Sequence, residues 1–402
     1  LDLRSLAANQ VKAKGDPRVT KKIVVVYGTR PEAIKVAPVV RQLQAEAGIE
    51  VVLVSTGQHR EMVSSVEEVF GLEPQVNLDV MRPGQSLSEL FGRIAASMDA
   101  VLEETKPDVV LVHGDTTSAA ASALAAYHRE LPVAHLEAGL RSGEFWRPFP
   151  EEGNRKLIAR MSQLHLAPTD NARANLLAEG VPDGQIVVTG NTVIDALHWA
   201  AISAWETPWP APLLHLDDFS STRMVLVTLH RRENQASAIG SISKALARFA
   251  RAHDDVRIVF PMHRNPVVRQ AVEMELGALQ NVDLIEPVDY VTMVKLLDHA
   301  WLVVTDSGGI QEEAPAFGVP VLVARDSTER PEAITAGVAR LVGGDGPVLS
   351  AALDELDEHP ERWARMAHAV NPFGDGRASG RVVAALNAHL GIGESRLDLV
   401  LR

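Results

Sequence analysis

Three short acidic stretches carry the residue types that move protons. His113-Gly114-Asp115 closes one apolar run and Leu136-Glu137-Ala138-Gly139 closes the next. Pro150-Glu151-Glu152-Gly153-Asn154-Arg155 lies just beyond. Carboxylates on neighbouring loops can act as general acid and general base. His113, Asp115 and these glutamates could instead hold a divalent cation, but no paired-histidine spacing supports a metal. Taken singly, each acid is more ordinarily a cap or a salt-bridge partner.

Two further stretches suit anions. In Gly28-Thr29-Arg30-Pro31-Glu32, glycine permits a tight turn and Pro31 suits the first positions of a helix. Arg30 and Lys35 then sit at a helix start, where cations oppose the helix dipole unless an anion lies between them. Asp306-Ser307-Gly308-Gly309 follows the run Leu302–Thr305 and precedes a helix containing Glu312 and Glu313. Backbone N–H groups at a glycine-rich helix start make an anion site, although the stretch also reads as an ordinary helix cap. Two such sites suit a diphosphate held between two domains. His230, in His-Arg-Arg-Glu-Asn (230–234), would then donate to a leaving phosphate, or else serve as a structural histidine.

These motifs sit at the ends of short β-branched runs, each followed by an alanine- and leucine-rich helical stretch. Ile23–Tyr27, Val51–Thr56, Asp108–His113 and Val133–Leu136 read as strands apolar on both faces, the pattern of a parallel sheet covered by helices. A loose region, Trp205–Phe219, interrupts the pattern. It restarts with Met224–Thr228, Arg257–Pro261, Val282–Ile285, Leu302–Thr305 and Val319–Val323. The expected fold is therefore α/β with two Rossmann-like domains, and ligands beyond the carboxyl ends of the strands. The expected division is a leader over 1–20, a first domain over 21–188 and a second over 189–375. The final stretch, 376–402, is expected to pack back on the first domain. Arg-Pro-Glu-Ala occurs twice, at Arg30–Ala33 and Arg330–Ala333, and chance accounts for that.

The 402 residues carry 39 basic and 52 acidic side chains, a net charge of −13, so no general attraction to nucleic acid or anionic membrane is expected. There is no cysteine, which rules out disulfides and thiolate chemistry and suits a reducing compartment. No apolar run reaches the ~18 residues of a spanning helix. Leu1–Thr20 lacks the apolar centre of a signal peptide and reads as a loose leader.

The ordered set of motifs resembles the non-hydrolysing UDP-N-acetylglucosamine 2-epimerase family. It comprises Gly-Thr-Arg-Pro-Glu-Ala-Ile-Lys (28–35), Gln-His-Arg-Glu-Met (58–62), His-Gly-Asp-Thr-Thr (113–117), Glu-Ala-Gly-Leu-Arg (137–141) and Pro-Glu-Glu-Gly-Asn-Arg (150–155). It continues with Gly-Asn-Thr-Val-Ile-Asp (190–195), His-Arg-Arg-Glu-Asn (230–234), Asp-Ser-Gly-Gly-Ile-Gln-Glu-Glu (306–313) and Thr-Glu-Arg-Pro-Glu (328–332). The resemblance runs from about residue 21 to 388. It implies a GT-B-like pair of domains with the active site between them, a homodimer, a cytoplasmic location, a UDP-N-acetylhexosamine substrate and neither metal nor other cofactor. It implies Asp115, Glu137, Glu151 and His230 as catalytic residues. Arg30, Lys35, Arg155, Ser307, Gly308, Gly309, Glu313 and Arg330 are implied in substrate binding, with Glu313 suited to the ribose hydroxyls.

Some positions depart from the family pattern. Gln235-Ala236-Ser237 follow His-Arg-Arg-Glu-Asn where relatives often carry an aromatic and a glycine, and Val288 and Met293 stand where relatives place uracil contacts. Regulated relatives bind a second substrate molecule through residues matching Gln58, Arg231 and His263, which this chain keeps. They also use a glutamine and an arginine where it has Glu61 and Gly84. Substrate activation is therefore expected to be weak or absent. A GT-B glycosyltransferase, a hydrolysing 2-epimerase and a silent UDP-sugar sensor are the competing readings.

Overall fold

The structure, a computed structural model, describes residues 20–392 except 59, 147, 218–221, 230–235 and 264. The expected leader (apart from Thr20), His230 and Arg231 lie outside the described residues.

The first half of the chain alternates strand and helix: β1 (Lys21–Tyr27), α1 (Arg30–Ala45), β2 (Ile49–Ser55), α2 (Arg60–Phe70), β3 (Val76–Asn77), α3 (Leu87–Thr105) and β4 (Val109–His113). It continues through α4 (Thr117–His128), β5 (Val133–Leu136), α5 (Glu151–Met161), β6 (Leu164–Ala167), α6 (Asp170–Ala178) and β7 (Ile186–Val188). The seven strands form one parallel sheet in the order β3-β2-β1-β4-β5-β6-β7. β1 shows why the sheet is covered on both sides. Ile23, Val25 and Tyr27 enter one core while Val24 and Val26 enter the other, as the two-residue period of a strand requires. α4 is built of serine and alanine over Ser118–Ala123, and this small-residue face packs between α3 and α5.

After α7 (Thr192–Glu206) the pattern restarts with β8 (Arg223–Thr228), α8 (Ala236–Ala252), β9 (Val256–Pro261), α9 (Pro266–Leu276), β10 (Val282–Ile285) and α10 (Tyr290–His299). Then come β11 (Ala300–Thr305), α11 (Gly308–Glu313), β12 (Val321–Val323), α12 (Pro331–Thr335) and β13 (Ala339–Leu341). Helices α13 (Gly346–Glu358), α14 (Pro360–Ala367) and α15 (Ala378–His389) close the described chain. The second sheet is parallel in the order β10-β9-β8-β11-β12-β13. In both sheets the strand order reverses beside the first strand, which opens a crevice at the carboxyl ends of β1 and β4 and of β8 and β11.

The fold is thus the expected pair of Rossmann-like α/β domains. Four short strands, β3, β6, β7 and β13, extend the sheets beyond the sequence reading. Within the region expected to be loose, Ala211–Asp217 forms a 3-10 turn whose Leu213 and Leu216 are buried, and Trp209 packs edge-on against His299.

The chain crosses between the sheets twice. Beside α7 the two crossings join where Asn191 N–H donates to Phe373 O at 2.7 Å. α15 then lies on α1, with Gln42 Nε2 donating to Ser379 Oγ at 2.8 Å. The Asp195 carboxylate on α7 accepts from the Ala378 and Ser379 N–H groups at 3.1 and 2.8 Å, capping α15 from another helix. Among the described residues no helix is long and apolar enough to cross a membrane.

Candidate active site

Asp115, Glu137 and Glu151 line one cleft of about 340 Å³ together with Lys35, Arg155 and Arg330. Each arrives by a local device. Gly114 (φ 67°) turns the chain after β4, so that Asp115 stands just before the Thr116 cap of α4. Glu151 begins α5. Glu137 follows β5 in a left-handed conformation, φ 63°, which costs a non-glycine residue about 1–2 kcal/mol. Strain of this kind persists where neighbouring structure fixes it. Here Gly114 N–H donates to Leu136 O and Ala138 N–H to Leu166 O, pinning the residues on either side.

The first anion loop is tightly built. Glu32, buried and two residues into α1, accepts from Gly28 N–H (2.9 Å), Thr29 N–H (2.7 Å) and Thr116 Oγ1 (2.6 Å). Burial pushes its carboxyl up to about 7 despite these donors. A Cβ on Gly28 would fall 2.1 Å from Thr56 Oγ1 and 2.3 Å from Ser118 Oγ, so only glycine fits there. The second copy of Arg-Pro-Glu-Ala also opens a helix, but its Glu332 reaches across to Thr169 Oγ1 (3.0 Å) and Asn171 Nδ2 (3.2 Å) of the first half.

Lys35 does not stand open to solvent. Its side chain is 9% exposed, and the ammonium contacts Glu137 Oε1 and lies 3.4 Å from Glu312 Oε2. Burial opposes the charge, but the two carboxylates outweigh it and raise the Lys35 pKa. Glu137 Oε1 also accepts from Asn191 Nδ2 at 2.8 Å. Its Oε2 lies 3.5 Å from His113 Nε2. Burial works to raise the Glu137 pKa, yet Lys35, His113 and Arg330 overcome it and hold the carboxyl at about 2. Asp115 is tuned the other way. Burial and the nearby Glu137 charge raise it, and Arg155, 2.5 Å from its Oδ2, only partly offsets them.

Several residues not proposed from the sequence hold this arrangement. Glu152, fully buried, takes Arg155 Nε and Nη2 at 3.0 and 2.6 Å and leaves Nη1 for Asp115. Glu312, 1% exposed, holds Arg330 Nε at 2.8 Å as well as Lys35. Both stood inside quoted motifs; Glu152 pairs with Arg155 three residues on, whereas Glu312 reaches Arg330 and Lys35, which no local spacing reveals.

The second anion loop lies alongside. Arg330 packs against the start of α11 so closely that a Cβ on Gly308 would meet its Nη1 at 2.8 Å. Ser307 N–H is already taken by Thr305 Oγ1 at 2.9 Å, which leaves the Gly308 and Gly309 amides as the donors of this loop. Glu313 is buried beside Glu312, and the two effects push it up to about 7 against Lys35 and Arg30. Buried Tyr290 faces the same carboxyl. Of the candidate regulatory residues, Gln58 accepts from Ser118 Oγ at 2.7 Å, and His263 is exposed after β9 with its Nδ1 accepting from Asn265 N–H. Among the described residues no group of three or more His, Asp or Glu is arranged to hold a metal ion.

Residues 41–387 match the family model described as UDP-N-acetylglucosamine 2-epimerase. The chain belongs to that family. The UDP-N-acetylglucosamine 2-epimerase of Salmonella typhimurium is 47% identical over 371 residues, covering 92% of this chain and 99% of the relative. Among solved structures, the Neisseria meningitidis UDP-GlcNAc 2-epimerase bound to UDP-GlcNAc is 43% identical with a TM-score of 0.84, over 91% of this chain and all of that one. The Methanocaldococcus jannaschii UDP-GlcNAc 2-epimerase in complex with UDP-GlcNAc and UDP is 34% identical with a TM-score of 0.75, covering 91% and 99%. The match to 2-epimerases along nearly the whole chain separates it from glycosyltransferases that share only the fold.

Proposed function

We propose that the protein interconverts UDP-N-acetylglucosamine and UDP-N-acetylmannosamine without hydrolysing the nucleotide. The observation that carries this reading is the convergence of Asp115, Glu137 and Glu151 with Lys35, Arg155 and Arg330 in one cleft of a 2-epimerase family member.

The C2–H of the sugar has no adjacent carbonyl, so departure of UDP must make it labile. As the C2 proton leaves, its electron pair becomes the C1=C2 double bond and UDP departs with the C1–O pair, giving a 2-acetamidoglucal. Re-addition of UDP and protonation on the opposite face of C2 complete the inversion. Preorganised charge beside the diphosphate is what such a reaction needs. Lys35, Arg330, Arg30, His230 and the Gly308 and Gly309 amides are assigned that work, with Ser307 and Arg155 supporting the same nucleotide and Glu313 receiving the ribose.

Opposed tuning of neighbouring carboxyls suits opposed roles. Glu137, held ionised, is assigned as proton acceptor. Asp115, raised, is assigned as donor to the other face, and Glu151 completes the acid–base set. A diphosphate that shares Lys35 would withdraw positive charge from Glu137 and raise its proton affinity at the moment it must act.

We further assign the domains to 21–188 and 189–375, with α15 returned to the first. We assign a homodimer in the cytoplasm, which sedimentation of the purified protein and fractionation of its host would test.

Proton NMR of the purified protein with UDP-N-acetylglucosamine in D₂O, with no metal, nicotinamide or acceptor added, tests the activity. UDP-N-acetylmannosamine labelled at C2 with the nucleotide attached supports it. Free N-acetylmannosamine plus UDP moves the assignment to a hydrolysing enzyme.

A further inference from the structure

Glu152 stands behind the cleft rather than in it. It is fully buried on α5 and reaches the reacting residues through Arg155. Its hydrogen bonds all fall on one oxygen. Oε2 accepts from Arg155 Nε at 3.0 Å, from Arg155 Nη2 at 2.6 Å and from the Ser142 N–H at 3.1 Å. Oε1, also buried, has no hydrogen-bond partner among the described residues. The Ser142 bond joins α5 to the loop beyond β5 and fixes where this carboxylate stands.

The Arg155 guanidinium therefore lies between two carboxylates. Two of its nitrogens face Glu152, and the third, Nη1, donates to Asp115 Oδ2 at 2.5 Å. Asp115 is fixed through its backbone as well, since Asn154 Nδ2 donates to Asp115 O at 2.8 Å. A guanidinium is always charged, and one cation cannot neutralise two anions. The two carboxylates share it unequally. The Glu152 side chain is 1% exposed and that of Asp115 29%. Burial opposes the Glu152 charge, but Arg155 and the Ser142 N–H outweigh it and lower the Glu152 pKa. Asp115 is left with a cation already paired. The other charges acting on it are Glu137 beyond β5 and Lys35 of α1, with Glu151 of α5 and His113 of β4 lining the same cleft.

Resting on the epimerase reading above, we propose that Glu152 is a positioning residue: it holds Arg155 against Asp115 while taking up that cation's charge, so that Asp115 keeps a proton to deliver to C2. An unpaired arginine at hydrogen-bond distance would hold Asp115 as a carboxylate, because an opposite charge favours the ionised form. With Glu152 behind it, Arg155 aims the carboxyl without stripping it. Arg155 occupies Oδ2, so the proton resides on Oδ1. In the step itself that proton bonds to C2 with the electron pair of C1=C2, a UDP oxygen bonds to C1, and Asp115 is left ionised.

The unpartnered Oε1 makes the test clean. Glu152→Gln can keep all three bonds on its amide oxygen and lose only the charge, whereas Glu152→Asp keeps the charge. The experiment follows kcat/KM for epimer formation from UDP-N-acetylglucosamine against pH in wild type and both variants. A group that must be protonated in the free enzyme sets the basic limb of that profile. In Glu152→Gln the limb should move to lower pH by at least about half a unit, a factor of about three in proton affinity, and in Glu152→Asp it should stay within about 0.2 unit of wild type. A merely structural carboxylate would lower the whole profile without moving its limb, and that outcome in Glu152→Gln overturns the proposal. An equal shift in both variants also overturns it. Should Glu152→Gln fail to fold, Glu152→Asp decides: an unmoved limb supports the proposal, and a limb moved by about half a unit overturns it. Wild type that forms no epimer would overturn the activity itself.

Discussion

Lys35 Nζ of α1 lies 3.4 Å from Glu312 Oε2 of α11, so a cation of the first sheet's first helix is bound to a carboxylate beyond the second sheet. Glu312 also carries Arg330 and accepts from Asn191. Removing one partner of a buried ionic network leaves the others uncompensated, at a cost of about 3–5 kcal/mol. Glu312→Gln should therefore lower the urea midpoint by the equivalent of about 3 kcal/mol. A midpoint equal to wild type would show that the network does not hold the two domains together.

Acid unfolding should report Glu137. Its folded pKa, about 2, lies below the ordinary 4.5. A depressed carboxyl contributes stability in full above its unfolded value and loses it as pH falls through the folded value. Wild type should lose stability between about pH 4.5 and 2 more steeply than Glu137→Gln, as followed by circular dichroism. Parallel curves would mean that the ion pair with Lys35 does not tune this carboxyl.

Glu313 predicts a proton linkage in the opposite sense. Burial and the neighbouring Glu312 push it up to about 7, and ribose hydroxyls donating to it would favour the ionised form. UDP binding near pH 6.5, about half a unit below the free value, should release protons. Calorimetry in two buffers of different ionisation enthalpy measures that release. Glu313→Gln should abolish it, and a release of equal size in the variant would take the ribose away from Glu313.

Gly308→Ala tests the packing of Arg330. The new Cβ would meet the far end of a flexible side chain, so the fold should survive while Arg330 is displaced. The expected outcome is a folded protein with a lowered melting temperature, because Arg330 also pairs with buried Glu312, and UDP affinity weaker by about tenfold, or about 1.4 kcal/mol. Unchanged affinity would remove Arg330 from nucleotide binding.

Asp115→Asn keeps the shape of the side chain beside Arg155 and removes a proton carrier. Turnover should fall by about 100-fold or more while UDP binding persists. Near-normal turnover would exclude Asp115 from the proton transfers.

The long buried strands were legible because runs such as Ile23–Tyr27 are apolar on both faces. β6 and β7 were not. Leu164–Ala167 contains a histidine in four residues, and Ile186–Val188 is three residues long, so tertiary pairing rather than local pattern makes them strands. The same limit governs the site. Asp115, Glu137 and Glu151 were readable because each ends or follows a strong motif. Lys35 read as a helix-start cation calling for an anion, because no sequence window contains the Glu137 and Glu312 that fold against it. Glu152 and His113 stood inside quoted motifs, but burial, which the sequence does not display, separates them from ordinary loop residues.

The paired crossings at Asn191 and Phe373 have a mechanical consequence. One strand of chain between two bodies permits swivelling in every direction, whereas two strands bonded side by side favour a single axis, like a door on its pins. Asn191 sits on that axis and its side chain grips both Glu137 and Glu312. Asn191 thereby ties any swing of the second body to Glu137 and Glu312, the two carboxylates that hold Lys35.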